Sequence, residues 1–194
     1  DLRAVEVSRV SEARSRAGDT FAMTIVASST SSDAMTLVID AAAIAIMICT
    51  LFGGYPEMSA SPIERDLSQI EVDVSTMVFQ QVAQALNGSG RRSLDLRLPV
   101  PWAMSGAEAK RHVLRDGAAV RIVLGISTPA DSGTVTVTMP QRIVLAGADS
   151  AAAAGEKDQG ASWRARFSEE VMRSTVALEA TMPLARLTLG DLAD

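Results

Sequence analysis

One cysteine, one histidine and no surplus of basic residues are all this chain of 194 residues offers, and each scarcity closes a class of function. A single thiol, Cys49, cannot form an internal disulfide, which fits a reducing compartment or a fold with no redox dependence. It lies inside an apolar run and reads as a small buried hydrophobe. His112 sits in the polar stretch AKRHVLRDG with neither a second histidine nor a cysteine beside it. Metal sites need three or four ligands at defined spacing, so His112 reads as a surface residue and no metal is expected. With a formal charge of -5 the chain lacks the clustered Lys and Arg that neutralise a phosphate backbone. Nucleic acid is therefore excluded as a partner, and proteins or small molecules remain.

Signatures of catalysis are missing too. There is no GxSxG elbow, no GxxxxGK[ST] phosphate loop and no GxGxxG after a strand, and no cofactor is expected. Glu64, Asp66, Glu71 and Asp73 crowd one predicted helix, and paired carboxylates can do acid and base work. They read instead as a solvated face whose first charges favour the helix dipole. The longest apolar run, residues 35–52, falls short of the roughly 20 residues of a membrane span once Asp40 interrupts it. The sequence starts at Asp1 with no charged segment ahead of an apolar one, so no secretory signal is expected and the chain reads as a fragment.

What is present is periodicity. Phe21, Met23 and Ile25 alternate with small or polar residues, as do Met35, Leu37 and Ile39, and the SSTSSD between them is turn composition. This predicts a β-hairpin, followed by a helix over 41–52 capped by Asp40 and stopped by Gly53 and Gly54. The grammar recurs about 100 residues later: Val120, Ile122, Leu124 and Ile126, a TPADSG turn, then Val135, Val137 and Met139, with Pro140 opening a short apolar helix. The two segments overlay with one residue of slack. They are either an internal repeat, which predicts a pseudo-twofold α/β domain, or two ordinary hairpins in one α+β domain.

Between the repeats, Ser61, Pro62 and Glu64 form a capping box that opens a long helix, and Asn87-Gly88 ends it. Its core stripe is expected at Ile63, Leu67, Ile70, Val74, Met77/Val78, Val82 and Leu86. Val72, Phe79 and Ala83 lie elsewhere on the cylinder, so the helix is either packed on two sides within one domain or offers Phe79 to a neighbouring subunit. SLDLRLPV reads as an edge strand, the segment 102–117 has no clear assignment, and GADSAAAAGEKDQGAS is linker-like. The expected organisation is a domain over 1–147, a linker over 148–160, and the start of a second domain over 161–194. That last piece is too short to fold alone and is expected to be poorly ordered unless paired.

The order of these features, with LFGG before a capped helix and WRARFSEEVMRSTVALEATMPLARLTLGDLAD after the linker, resembles the family of the flagellar motor switch protein FliM over nearly the whole chain. The resemblance implies a CheC-like α/β/α middle domain with two similar halves, and a non-enzymatic scaffold. In that family middle domains stand side by side in the cytoplasmic ring of the motor, at the inner face of the inner membrane, bind FliG, and join FliN through the C-terminal domain. The family's FliG-contacting loop has the form GGxG. Here Gly53 and Gly54 match, while Tyr55 and Pro56 take the third and fourth places.

These four residues are the expected FliG contact. The glycines bring backbone close to a partner, Pro56 stiffens the exit and Tyr55 is an aromatic anchor; a helix stop with Tyr55 folded back onto the domain is the other possibility. The family's CheY-binding peptide precedes this sequence, so no CheY contact is expected of these residues. CheC-type phosphatases share the fold but carry a Glu followed three residues later by Asn. Glu71 is followed by Val74 and Glu64 by Leu67, so phosphatase activity is not expected. Ring proteins of the SctQ class of type III secretion share the C-terminal domain and are the rival reading.

Overall fold

The computed structural model describes residues 1–152 apart from 15–17, 19, 30, 89–92 and 113. Its strands are β1 (Leu2–Arg9), β2 (Phe21–Ala27), β3 (Ala34–Asp40), β4 (Met104–Ser105), β5 (Ala118–Ser127) and β6 (Ser132–Pro140). Its helices are α1 (Ala41–Leu51), α2 (Gln69–Asn87), α3 (Gly106–Ala109) and α4 (Gln141–Ala152), with a 3-10 segment at Val10–Arg14.

Both expected hairpins form. Phe21 lies opposite Asp40 and Ala27 opposite Ala34 in the first, Ala119 opposite Pro140 and Ser127 opposite Ser132 in the second. Their returning strands then pair with each other, antiparallel, from Thr36↔Thr138 to Ile39↔Val135. Leu37 faces Val137, so a local twofold axis through that pair relates β3 to β6. The connections differ: residues 28–33 join the first hairpin and 128–131 the second. The result is one antiparallel sheet in the order β1-β5-β6-β3-β2-β4.

Strand alternation predicts one wet face, but in β2, β3 and β6 nearly every residue is buried. The reason is cover on both sides. Leu37, Ile39, Val135 and Val137 share one face, where α1 lies so close that a Cβ on Gly133 would meet the backbone of Ala43; α2 packs on α1 and β2. On the other face Phe21, Met23 and Val38 form a cluster with Ala109 of α3, and the 3-10 segment covers the neighbouring strands. Burying each large apolar side chain contributes roughly 1.5–3 kcal/mol, so the two layers dominate stability.

Four expectations need correction. The capping box that opens α2 is Ser68 with Glu71, not Ser61 with Glu64, and residues 61–67 form no helix. The core face of α2 is also rotated: Val74, Phe79 and Ala83 are buried with Glu71 and Ser75, whereas Ile70 and Met77 are exposed. Phe79, with 0% exposure, fills the core and presents nothing to a neighbouring subunit. SLDLRLPV makes only the single bridge Ser28↔Leu96, because Asp95 turns to φ 47 and breaks the extended backbone; β4 takes the edge beside β2 instead.

Smaller differences remain. Pro140 ends β6 rather than opening the helix, and α4 runs on to Ala152, past the expected domain end at 147. Edge strand β1 carries no sequence prediction, since its period is broken by a register shift between Leu2 and Ala4. The chain divides into two units, Asp1–Gly155 and Glu156–Asp194. The second unit, and with it the expected order of 161–194, lies outside the described residues.

Candidate functional site: the loop after the first helix

The amino end of α1 is fixed by Asp40. Its Oδ1 accepts the N–H of Ala43 at 2.8 Å as an N-cap, and its Oδ2 accepts the N–H of Thr134 at 2.8 Å together with the Thr134 hydroxyl. One carboxylate thus starts the helix and joins it to the second repeat.

The carboxyl end closes as a Schellman motif. Gly54 N–H donates to the Cys49 carbonyl at 2.8 Å and Gly53 N–H to the Thr50 carbonyl at 3.3 Å, with Gly53 at φ +83. Gly54 passes directly over half-buried Cys49: a Cβ there would sit 2.2 Å from the Cys49 sulfur and 2.8 Å from its carbonyl oxygen. A tight turn follows, Met58 N–H donating to the Tyr55 carbonyl at 3.0 Å, with Pro56 at its second position, where a fixed φ belongs. The loop then meets the second hairpin. Asp131 accepts the Ser59 hydroxyl at 2.8 Å and the Ala60 N–H at 2.6 Å.

On this fixed backbone stands an exposed apolar group. Phe52 is 73% and Tyr55 71% exposed, and Leu51 and Met58 are also exposed. Tyr55 therefore does not fold back onto the domain. The sequence singles out the LFGGYP stretch, with Gly53, Gly54, Tyr55 and Pro56 as the expected contact; the exposed group adds Met58, and no sequence signal ties Asp131 to a loop so far away in the chain.

The approach to α2 carries the site's electrostatics. Arg65 grips Glu71 with two hydrogen bonds of 2.9 Å, and Ser68 donates its N–H and hydroxyl to the same carboxylate. Burial pushes the Glu71 pKa up, but the hydrogen bonds from Arg65 and Ser68 together outweigh it and hold the carboxyl below its ordinary value. This carboxylate is structural: its oxygens are occupied, and the residue three places on is buried Val74. Among the described residues no group of three or more His, Cys, Asp or Glu could hold a metal ion, and no helix is long and apolar enough to cross a membrane.

A CheC-like sheet bearing an exposed apolar loop at the end of its first helix is the class of architecture these features define. No protein-family model matches the chain. It is similar to the flagellar motor switch protein FliM of Rhizobium meliloti (strain 1021), 31% identical over 158 residues that cover 79% of this chain and 50% of that protein. FliM of Agrobacterium fabrum (strain C58) is 30% identical over 144 residues, covering 72% of this chain and 44% of that protein.

Among solved structures, the FliG-FliM complex of H. pylori matches with TM-score 0.61 at 21% identity, covering 75% of this chain and 81% of that one. The FliM middle domain of H. pylori matches with TM-score 0.59 at 16% identity, covering 77% and 80%, and Thermotoga maritima FliY with 0.52 at 13%, covering 77% and 79%. The chain is a homologue of FliM over most of its length and has the FliM middle-domain fold. It spans about half the length of the curated relatives it matches.

Proposed function

We propose that this chain is the middle part of a flagellar motor switch scaffold that docks FliG through the surface from Leu51 to Met58. It performs no catalysis. In the same reading it stands beside copies of itself in the cytoplasmic ring at the inner membrane, and its 161–194 segment leads to FliN. The carrying observation is the exposure of Leu51, Phe52, Tyr55 and Met58 together on a backbone fixed at both ends. Grouped exposed apolar residues mark interaction sites, and aromatic anchors dominate interface energies. FliG is the partner because the FliM homology and the FliM fold of a solved FliG-FliM complex both point to it. The absence of an amide three residues after Glu71 or Glu64 supports a scaffold over a CheC-type phosphatase.

The test is calorimetric titration with FliG of the same organism, using wild type, Phe52→Ala and Tyr55→Ala, each first shown to be folded by circular dichroism. Both side chains are exposed, so the variants are expected to fold and to bind at least about tenfold more weakly. Wild type that fails to bind sinks the reading, and unchanged binding by both variants moves the docking surface elsewhere.

A further inference from the structure

The turn of the second hairpin reaches across to the docking loop. Asp131 closes that turn: its carbonyl accepts the Thr128 N–H at 2.8 Å, and its own N–H donates to the Thr128 hydroxyl at 3.0 Å. With its backbone so held, its carboxylate takes the Ser59 hydroxyl on one oxygen and the Ala60 N–H on the other. Among the described residues these are the only hydrogen bonds tying residues 55–64 to the rest of the domain.

The first hairpin also has an aspartate directly before its returning strand. Asp33 precedes β3 as Asp131 precedes β6, and it faces Arg115 at 3.7 Å and Arg142 at 3.8 Å. Those arginines are largely exposed, and the separations are those of loose ion pairs, which restrain little. The bonds to Asp131 are short, and one goes to backbone, so they fix a position.

We infer that Asp131 is a positioning residue for the docking surface, holding the exit of the loop so that Phe52, Tyr55 and Met58 are presented in one arrangement. This rests on the docking reading above. An interface loop ordered in advance binds more tightly, because less freedom is lost on association. Without the Asp131 bonds, the chain from the Schellman closure to the Arg65–Glu71 clamp has no fixed point between its ends.

Tyr55 is the sole tyrosine of the chain, so protein labelled with 3-fluorotyrosine gives one fluorine resonance that reports on this loop alone. In Asp131→Asn, which keeps the side-chain shape, that resonance is expected to shift or broaden while the thermal midpoint stays within about 2 °C of wild type. Affinity for FliG is expected to fall roughly tenfold. Ser59→Ala removes the same bond from an exposed side chain on the loop, and is expected to weaken binding less and non-additively with Asp131→Asn. If wild type binds FliG and both variants bind it equally well, the positioning role is wrong while the docking reading stands. If wild type does not bind FliG, the docking reading falls and the positioning role falls with it.

Discussion

Thr36 and Thr138 face each other across the β3–β6 seam, and neither buried hydroxyl has a hydrogen-bond partner among the described residues. An unpaired buried hydroxyl costs about 1–3 kcal/mol, whereas valine has the same branched shape and suits a strand. Thr36→Val and Thr138→Val are each expected to stabilise the domain by roughly 1 kcal/mol, read as a higher thermal midpoint. At Gly53 the positive φ makes any side chain costly, so Gly53→Ala is expected to lose about 1 kcal/mol in urea unfolding. That glycine was legible in the sequence, as was Asp40, because turn and cap chemistry is local. The exposure of Phe52 was not. The run from Ala41 to Phe52 is apolar almost all round, so its periodicity has no phase, and only the placement of the sheet decides which residues meet water.

Helix α2 shows how two valid local signals compete. Ser61-x-x-Glu64 and Ser68-x-x-Glu71 both spell a capping box, and tertiary contact chooses the second, where Glu71 is buried under Arg65. Moving the start leaves Ile63 and Leu67 outside the helix, so the core face turns onto Phe79. Phe79→Ala is accordingly expected to lower stability by about 3–5 kcal/mol. Sedimentation of the folded fraction should show no change in self-association.

Acid offers a second check on this element. Glu71 titrates below its ordinary value in the fold, and so does Asp116, whose carboxylate is held down chiefly by its hydrogen bond to Arg9 and then by Ser11. Lowered carboxyls stabilise the fold fully above the ordinary carboxylate range and lose that contribution as the pH falls through their folded values. Denaturant midpoints are expected to be flat from about pH 7 to 5 and to fall below that. The fall should be shallower in Glu71→Gln, which cannot titrate.

In the whole molecule, β3 and β6 stand at the centre of the sheet and β1 and β4 at its edges. Amide exchange is expected to be slowest at Leu37, Val38, Val135 and Val137 and fastest in β4, since local opening starts where pairing is thinnest. Uniform protection across all six strands would contradict this. Both hairpins and their repetition could be read from the sequence, because strand period and turn residues are close in the chain. The edges could not: β1 is out of phase with itself, and β4 is two residues chosen by what lies beside β2.

The seam between the halves also sets a clock. Each hairpin joins neighbours in sequence and can close in microseconds, whereas the seam must bring residue 37 to residue 137 through a large loop. Two hairpins that form early must therefore wait to find each other, and their encounter, rather than the making of either, paces the folding of this domain.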